Sequence, residues 1–213
     1  MSGITPAIIS SSFEEIKTKI ASLEGVVPWV HLDIIDGSYA PVFTWQTPDD
    51  LENIHGNIKI EVHLMIEKPE EFLELWVNKA DRILIHFETT DRLNEILESS
   101  RFVNSELGLV LELDTPLEKI SPYLPELSFI QLMSIRDIGF QGHSFEQDVL
   151  EKIRSLRGVW PEGKIQVDGG IDLDTGQEAL KAGADILVAG SSIWRSGQPL
   201  KVIKDFESIL ASR

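Results

Sequence analysis

Short apolar, β-branched runs alternate with longer amphipathic ones along the 213 residues of this chain. Runs of the first kind read as strands and runs of the second as helices. Strands are expected at 6–10 (PAIIS), 29–34 (WVHLDI), 58–64 (IKIEVHL), 82–87 (RILIHF), 107–113 (LGLVLEL), 129–134 (FIQLMS), 164–169 (KIQVDG) and 185–190 (DILVAG). Helix starts are signalled by Ser12 before FEEIKTKIASL, Thr47 and Pro48 before DDLENI, Pro69 before EEFLELWV, and Thr89 before TDRLNEILESS. Later starts are Pro116 before LEKI, Ser144 before FEQDVLEKIRSL, Thr175 before GQEALKAG and Pro199 before LKVIKDFESIL. Eight β–α units in unbroken alternation, with no Pro-, Gly- or Ser-rich linker, predict one α/β domain over residues 1–213. That pattern predicts a parallel sheet closed as a (β/α)8 TIM barrel. An open doubly wound sheet is the alternative, but it usually has about five or six strands.

The barrel reading sorts the polar residues, because active sites of this architecture lie at the C-terminal ends of the strands. His31 and Asp33 lie two apart in one strand and so share a face. His63 stands near the end of the third strand, and Asp168 ends the seventh before two glycines. Singly, each has an ordinary explanation: a strand histidine is more often a core residue, and an Asp before Gly-Gly is usually a turn residue. Polar residues inside apolar strands are nevertheless costly unless partnered, and these four gather at one end. Two imidazoles and two carboxylates form a complete ligand set for one divalent metal, and the two carboxylates could also act as an acid/base pair. His86, two residues before Glu88, could support that set from behind or simply pack; His55 and His143 have no evident partner.

Two further patterns bear on the chemistry. VDGG and VAGSS end the seventh and eighth strands, where barrels frequently bind phosphate. Gly169, Gly170, Gly190 and Ser191 would let the backbone approach a phosphoryl group, and Gly139 and Gly142 could add donors from the long connection SIRDIGFQGHSF, which reads equally as a lid or as a glycine-rich surface turn. Lysine is missing from the active end: Lys59 and Lys164 stand at strand starts. That disfavours a Schiff-base aldolase, which needs a desolvated amine there, and a decarboxylase built on alternating Asp and Lys.

Charge and composition narrow the partners. Acidic residues outnumber basic ones 35 to 19, a formal net charge of −16, which repels polyanions and argues against nucleic-acid binding. No apolar run is long enough to span a bilayer, which argues against a membrane partner. MSGITPAIISSSF lacks the pattern of a signal peptide, so the expected compartment is the cytoplasm. With no cysteine, disulfides and thiolate metal sites are excluded. Zinc suits the His/Asp set first, with iron(II), manganese or cobalt as alternatives.

In order along the chain, HLDIIDGSYAP, VHLMIEKPEEF, MSIRDIGFQGHSF, QVDGGI and ADILVAGSSIW resemble the ribulose-phosphate 3-epimerases, and the likeness runs through all eight units. The resemblance implies a ribulose-phosphate-binding barrel, one divalent metal, and epimerisation at C3 of a pentulose 5-phosphate in the pentose phosphate pathway. It makes His31, Asp33, His63 and Asp168 the metal ligands, and Asp33 and Asp168 also the proton carriers. Ser10, His63, Met65, the lid residues Gly139, Phe140, Gln141 and Gly142, and Asp168, Gly169, Gly170, Gly190 and Ser191 would contact the substrate. The family commonly forms homo-oligomers; exposed tryptophans among Trp45, Trp160 and Trp194 would mark such an interface. A 3-epimerase of another ketose phosphate such as D-allulose 6-phosphate, and a non-catalytic sugar-phosphate-binding barrel, are the competing readings.

The chain departs from the family pattern around the site. DGSYAPVF stands where DGHFVPN is usual, with Ser38 and Val42 in place of His and Asn, and Ser12 replaces an Asp. The lid lacks the common Asn-Pro, carries Arg136, Asp137 and Ile138 in a stretch one residue longer, and has Gln141 interrupting GFGG. The fifth strand ends LELDTP instead of LNPGTP, bringing in Glu112 and Asp114.

Overall fold

The two-residue period of side-chain direction decides which face of the barrel each strand residue takes. In the computed structural model, which describes residues 3–100, 104–140 and 142–212 (of Ser100 the backbone only), all eight strands form. They are β1 (Gly3–Ile8), β2 (Trp29–Ile35), β3 (Lys59–Met65), β4 (Arg82–His86), β5 (Glu106–Leu111), β6 (Phe129–Met133), β7 (Lys164–Asp168) and β8 (Ile186–Ala189). Each pairs in parallel with the next, and β8 closes on β1, giving a (β/α)8 TIM barrel. Only β1 is displaced from its expected span, by about three residues, because Gly3–Pro6 pair with β8 while Ile9 and Ser10 already belong to the following loop.

Successive strand residues face opposite ways. Val30, Leu32 and Ile34 of β2, Ile60, Val62 and Leu64 of β3, Ile83 and Ile85 of β4 and Ile130 and Leu132 of β6 join one apolar core between sheet and helices. Their neighbours in sequence face the barrel axis. On the β4–β6 side that interior is filled by Leu84, Val110, Phe129 and Met133. Gly108 leaves room for them: a Cβ there would lie 2.4 Å from Leu84 and 2.9 Å from Phe129.

The helices are less regular than the strands. α1 (Phe13–Leu23), α2 (Leu73–Trp76), α3 (Leu93–Ser100), α4 (Asp148–Val159), α5 (Leu173–Ala182), α6 (Ser191–Trp194) and α7 (Pro199–Ala211) cover the outside. α1 starts as its sequence predicts, with Ser12 accepting from the Glu15 amide. α5 starts earlier than expected: Asp172 is its cap, and Thr175 is the reciprocal member of a capping box. The segments after β2 and β5 make only 3-10 turns, Pro48–Asn53, Leu117–Lys119 and Ser121–Tyr123. The first buries only Leu51, and Pro122 interrupts any continuous helix in the second. Among the described residues no helix is long and apolar enough to cross a membrane.

Candidate active site

The four residues singled out in the sequence converge. One ligand atom from each of His31, Asp33, His63 and Asp168 lies within 4.8 Å of all the others. His31 Nε2 is 3.1 Å from Asp33 Oδ1, 3.3 Å from His63 Nδ1 and 3.8 Å from Asp168 Oδ2. His63 Nδ1 is 3.2 Å from Asp33 Oδ1 and 3.7 Å from Asp168 Oδ2. Strand register does this: Asp33 pairs with His63 across β2 and β3, and Asp168 ends β7 across the barrel. Four donors about 2.0–2.1 Å from one zinc-like ion would stand about 3.3 Å apart at tetrahedral angles. The observed spacings bracket that value, and the N/O donor set suits a divalent cation, so the residues fit the metal.

The electrostatics divide the two carboxylates. Burial alone would raise Asp33, but the His31 and His63 imidazoles outweigh it and hold this carboxyl well below its usual range. Burial pushes Asp168 up to about 7; His31 opposes the rise, while Asp33 and Glu61 add to it. Burial brings His63 down to about 4 against the pull of Asp33. His31 goes the other way: burial lowers it, yet Asp33 and Glu61 raise it well above the ordinary value. Before any cation binds, the surroundings therefore push the two carboxyls in opposite directions, Asp33 towards the proton-free form and Asp168 towards the protonated one.

Beneath the four lies a polar layer only partly anticipated. His86 was weighed as a supporting residue, and its Nε2 stands 2.9 Å from His63 Nε2, with the two rings stacked. When His63 presents Nδ1 to the cluster, its Nε2–H donates to His86, whose own proton then sits on Nδ1, 3.4 Å from Glu88 Oε2. Glu88 accepts from the Glu112 amide and from Thr115. Gln131 Nε2 donates to Asp168 Oδ2 at 3.1 Å, and its Oε1 accepts from Gln166 at 2.7 Å. Glu61, fully buried, meets His31 Nδ1 at 2.7 Å. Glu61, Gln131 and Gln166 were not singled out from the sequence. The available signal was parity: each sits two residues from a cluster member or from another inward residue of its strand.

Above the cluster opens a cleft whose lining includes Asp33, Met65, Asp168, Gly169, Gly170, Gly190 and Ser191, with Gly139, Phe140 and Gly142 from the long connection after β6. His31 and His63 lie below it, fully buried. Gln141 lies outside the described residues. Ser10 is not in that lining: its hydroxyl donates to Glu15 Oε2 at 2.7 Å and accepts from the Ser12 amide. Gly170, at φ +63°, has no room for a side chain, since a Cβ would lie 2.5 Å from the Phe145 nitrogen.

The departures at the rim contact one another. Arg136 of the lid donates to Asp114 at 2.6 Å, and Tyr39 donates to Glu112. Ser38 donates to Asp36 and accepts from the Glu67 amide at 2.9 Å, tying the β2 and β3 loops together. The tryptophans do not supply an exposed face: Trp45 is 6% exposed in the core, and half-buried Trp194 donates to the Ala7 carbonyl at 2.7 Å. Trp160 is also half-buried, and Phe43, at 70%, is the aromatic side chain left most open near the mouth.

Residues 3–194 match the sequence profile of the Ribulose-phosphate 3 epimerase family. A ribulose-phosphate 3-epimerase of Chlamydia muridarum is 39% identical over 175 residues, covering 78% of this chain and 76% of its own. The ribulose-phosphate 3-epimerase of Bacillus subtilis is 30% identical over 211 residues, covering 95% and 96%. Among solved structures, orotidine 5'-monophosphate decarboxylase from Sulfolobus solfataricus superimposes with a TM-score of 0.67 at 17% identity, covering 100% of this chain and 99% of that one. That last likeness is one of fold alone.

Proposed function

This chain belongs to the ribulose-phosphate 3-epimerase family and is an isomerase; from that premise we propose that it interconverts D-ribulose 5-phosphate and D-xylulose 5-phosphate. The observation that carries this reading is the convergence of Asp33 and Asp168 with His31 and His63 in one cluster, where the surroundings also shift the two carboxyls in opposite directions. Epimerisation at C3 needs a base on one face of the carbon and an acid on the other. In one direction the proton-free carboxylate takes the C3 proton, and the carboxyl that carries a proton returns one to the opposite face. In the reverse direction the roles exchange, so no redox cofactor is consumed.

His31, Asp33, His63 and Asp168 would hold one divalent cation, with zinc the first choice. Such a cation supplies Lewis-acid stabilisation of the negative charge that an enediolate develops on its oxygens. The protein's own part is to fix the carboxylates. Gln131 holds Asp168 by its Oδ2, and the two buried histidines flank Asp33. Met65, buried in the cleft wall, offers an apolar surface that keeps water from the reacting carbon.

The phosphate would sit at the β7 and β8 ends, against Gly169, Gly170, Gly190 and Ser191, with Gly139, Phe140 and Gly142 beside it. Ser10 would reach the sugar by exchanging its bond to Glu15 for a substrate hydroxyl. The test is a steady-state assay of the purified, metal-loaded protein on D-ribulose 5-phosphate and on D-allulose 6-phosphate. The expected result is a higher kcat/KM for the pentulose phosphate. A large preference for the hexulose phosphate would overturn the substrate assignment, and no turnover of either would overturn the activity.

A further inference from the structure

A row of alternating charge crosses four neighbouring strands at one level of the barrel. The register pairs His31 with Glu61, Glu61 with Arg82, and Arg82 with Glu106. The side chains follow it: Glu61 Oε1 is 2.7 Å from His31 Nδ1, Arg82 Nη1 donates to Glu61 Oε2 at 2.7 Å, and Arg82 Nε donates to Glu106 at 2.8 Å. Gln166, from the far side of the barrel, donates to Glu61 Oε1 at 2.8 Å. The Arg82 guanidinium lies between two rings, 4.2 Å from the Trp29 centroid and 3.8 Å from that of Phe129.

We propose that Glu61 is a positioning residue that fixes which nitrogen His31 presents to Asp33, His63 and Asp168, and that Arg82 holds Glu61 in place for this task. The inference rests on reading that cluster as a cation site. A carboxylate only accepts hydrogen bonds, so His31 Nδ1 must be the donor to Glu61. Nε2 is then left facing the cluster, 3.1 Å from Asp33 and 3.3 Å from His63. Packing alone does not call for a carboxylate here, since Leu84, Val110 and Phe129 fill the same interior with apolar groups. Nor does stability, because apolar replacements of a buried ion pair are often neutral or stabilising. Orientation of a ligating imidazole by a carboxylate accounts for both. His63 differs: its second nitrogen meets another imidazole, His86.

The test uses the full chain with Zn2+ as probe, comparing wild type, Glu61→Gln, and the double variant Glu61→Leu/Arg82→Met, which leaves no buried charge alone. Zn2+ affinity is measured by competition with a chromophoric chelator, and the protonated nitrogen of His31 is read from imidazole 15N shifts. Wild-type, Zn2+-loaded protein should show His31 protonated at Nδ1. Both variants should bind Zn2+ about 10–100-fold more weakly, the double variant more so, and it should lose the single-tautomer signature. Folded variants with wild-type affinity and an unchanged His31 spectrum would overturn the inference alone. So would a wild-type His31 protonated at Nε2, which needs no variant to observe. A wild-type protein that takes up no Zn2+, Mn2+ or Co2+ would overturn the cation site as well.

Discussion

The two faces of the same eight strands are built on different principles. Outward residues such as Leu32, Val62 and Leu132 are apolar and join a single core with the helices. Inward residues one position away include His31, His63, Gln131 and Asp168, which are polar and partner each other instead. The outer face therefore stabilises the fold by burial, at about 25 cal/mol per Å² of apolar surface. The inner face holds groups whose burial is costly unless each is satisfied. A substitution should damage stability on one face and chemistry on the other.

The largest separation is expected from Asp168→Asn. It removes the proposed proton carrier and anionic ligand while nearly keeping the shape, so turnover of ribulose 5-phosphate should fall by roughly 10³-fold, with cooperative unfolding retained. Turnover near wild type would refute its role. Leu132→Ala, on the outer face of β6, should instead cost about 2–5 kcal/mol in urea unfolding. Its kcat per folded molecule should be unchanged; a large loss of kcat would show that the faces are not independent.

The pH dependence sharpens the comparison, because the titrating groups in question face inward. Without a bound cation burial holds Asp168 up near 7, while His31, despite its own burial, is raised well above its usual value by Asp33 and Glu61. A bound cation competes with protons for the same side-chain atoms, so affinity for Zn2+ should rise with pH. Below about pH 7 it should weaken by tenfold or more per unit, as chelator competition would show. An affinity flat between pH 5.5 and 8 would contradict the assignment. The smallest effect belongs to the rim: Arg136→Ala removes an exposed ion pair with Asp114 and should leave the urea-unfolding midpoint essentially unchanged. A lower midpoint would mean that the lid is structurally coupled to the barrel.

The same contrast explains how much the sequence disclosed. The outer face repeats a simple rule, apolar at every second position, so the strands and the barrel could be read from it. His31, Asp33, His63 and Asp168 stood out as polar residues at the strand ends where chemistry is expected. Glu61 and Arg82 did not: parity puts them on the inward face with His63 and Leu84, but it does not say which partner each meets there. Their meaning lies in register between strands that are distant in sequence, as in the His31–Glu61–Arg82 row. The helices failed for a local reason: Pro122 and the sparse apolar residues of DDLENI support a turn but no long amphipathic face. At the rim, Arg136 and Asp114 looked like two unrelated departures and prove to be one contact.

A two-sided proton relay through Asp33 and Asp168 is tested most directly by conversion of ribulose 5-phosphate by the metal-loaded protein in D2O, with C3 deuterium followed in substrate and product at early time. Product should carry one solvent deuterium at C3 while the remaining substrate stays almost unlabelled. Product without deuterium, or substrate labelled as fast as product forms, would contradict it.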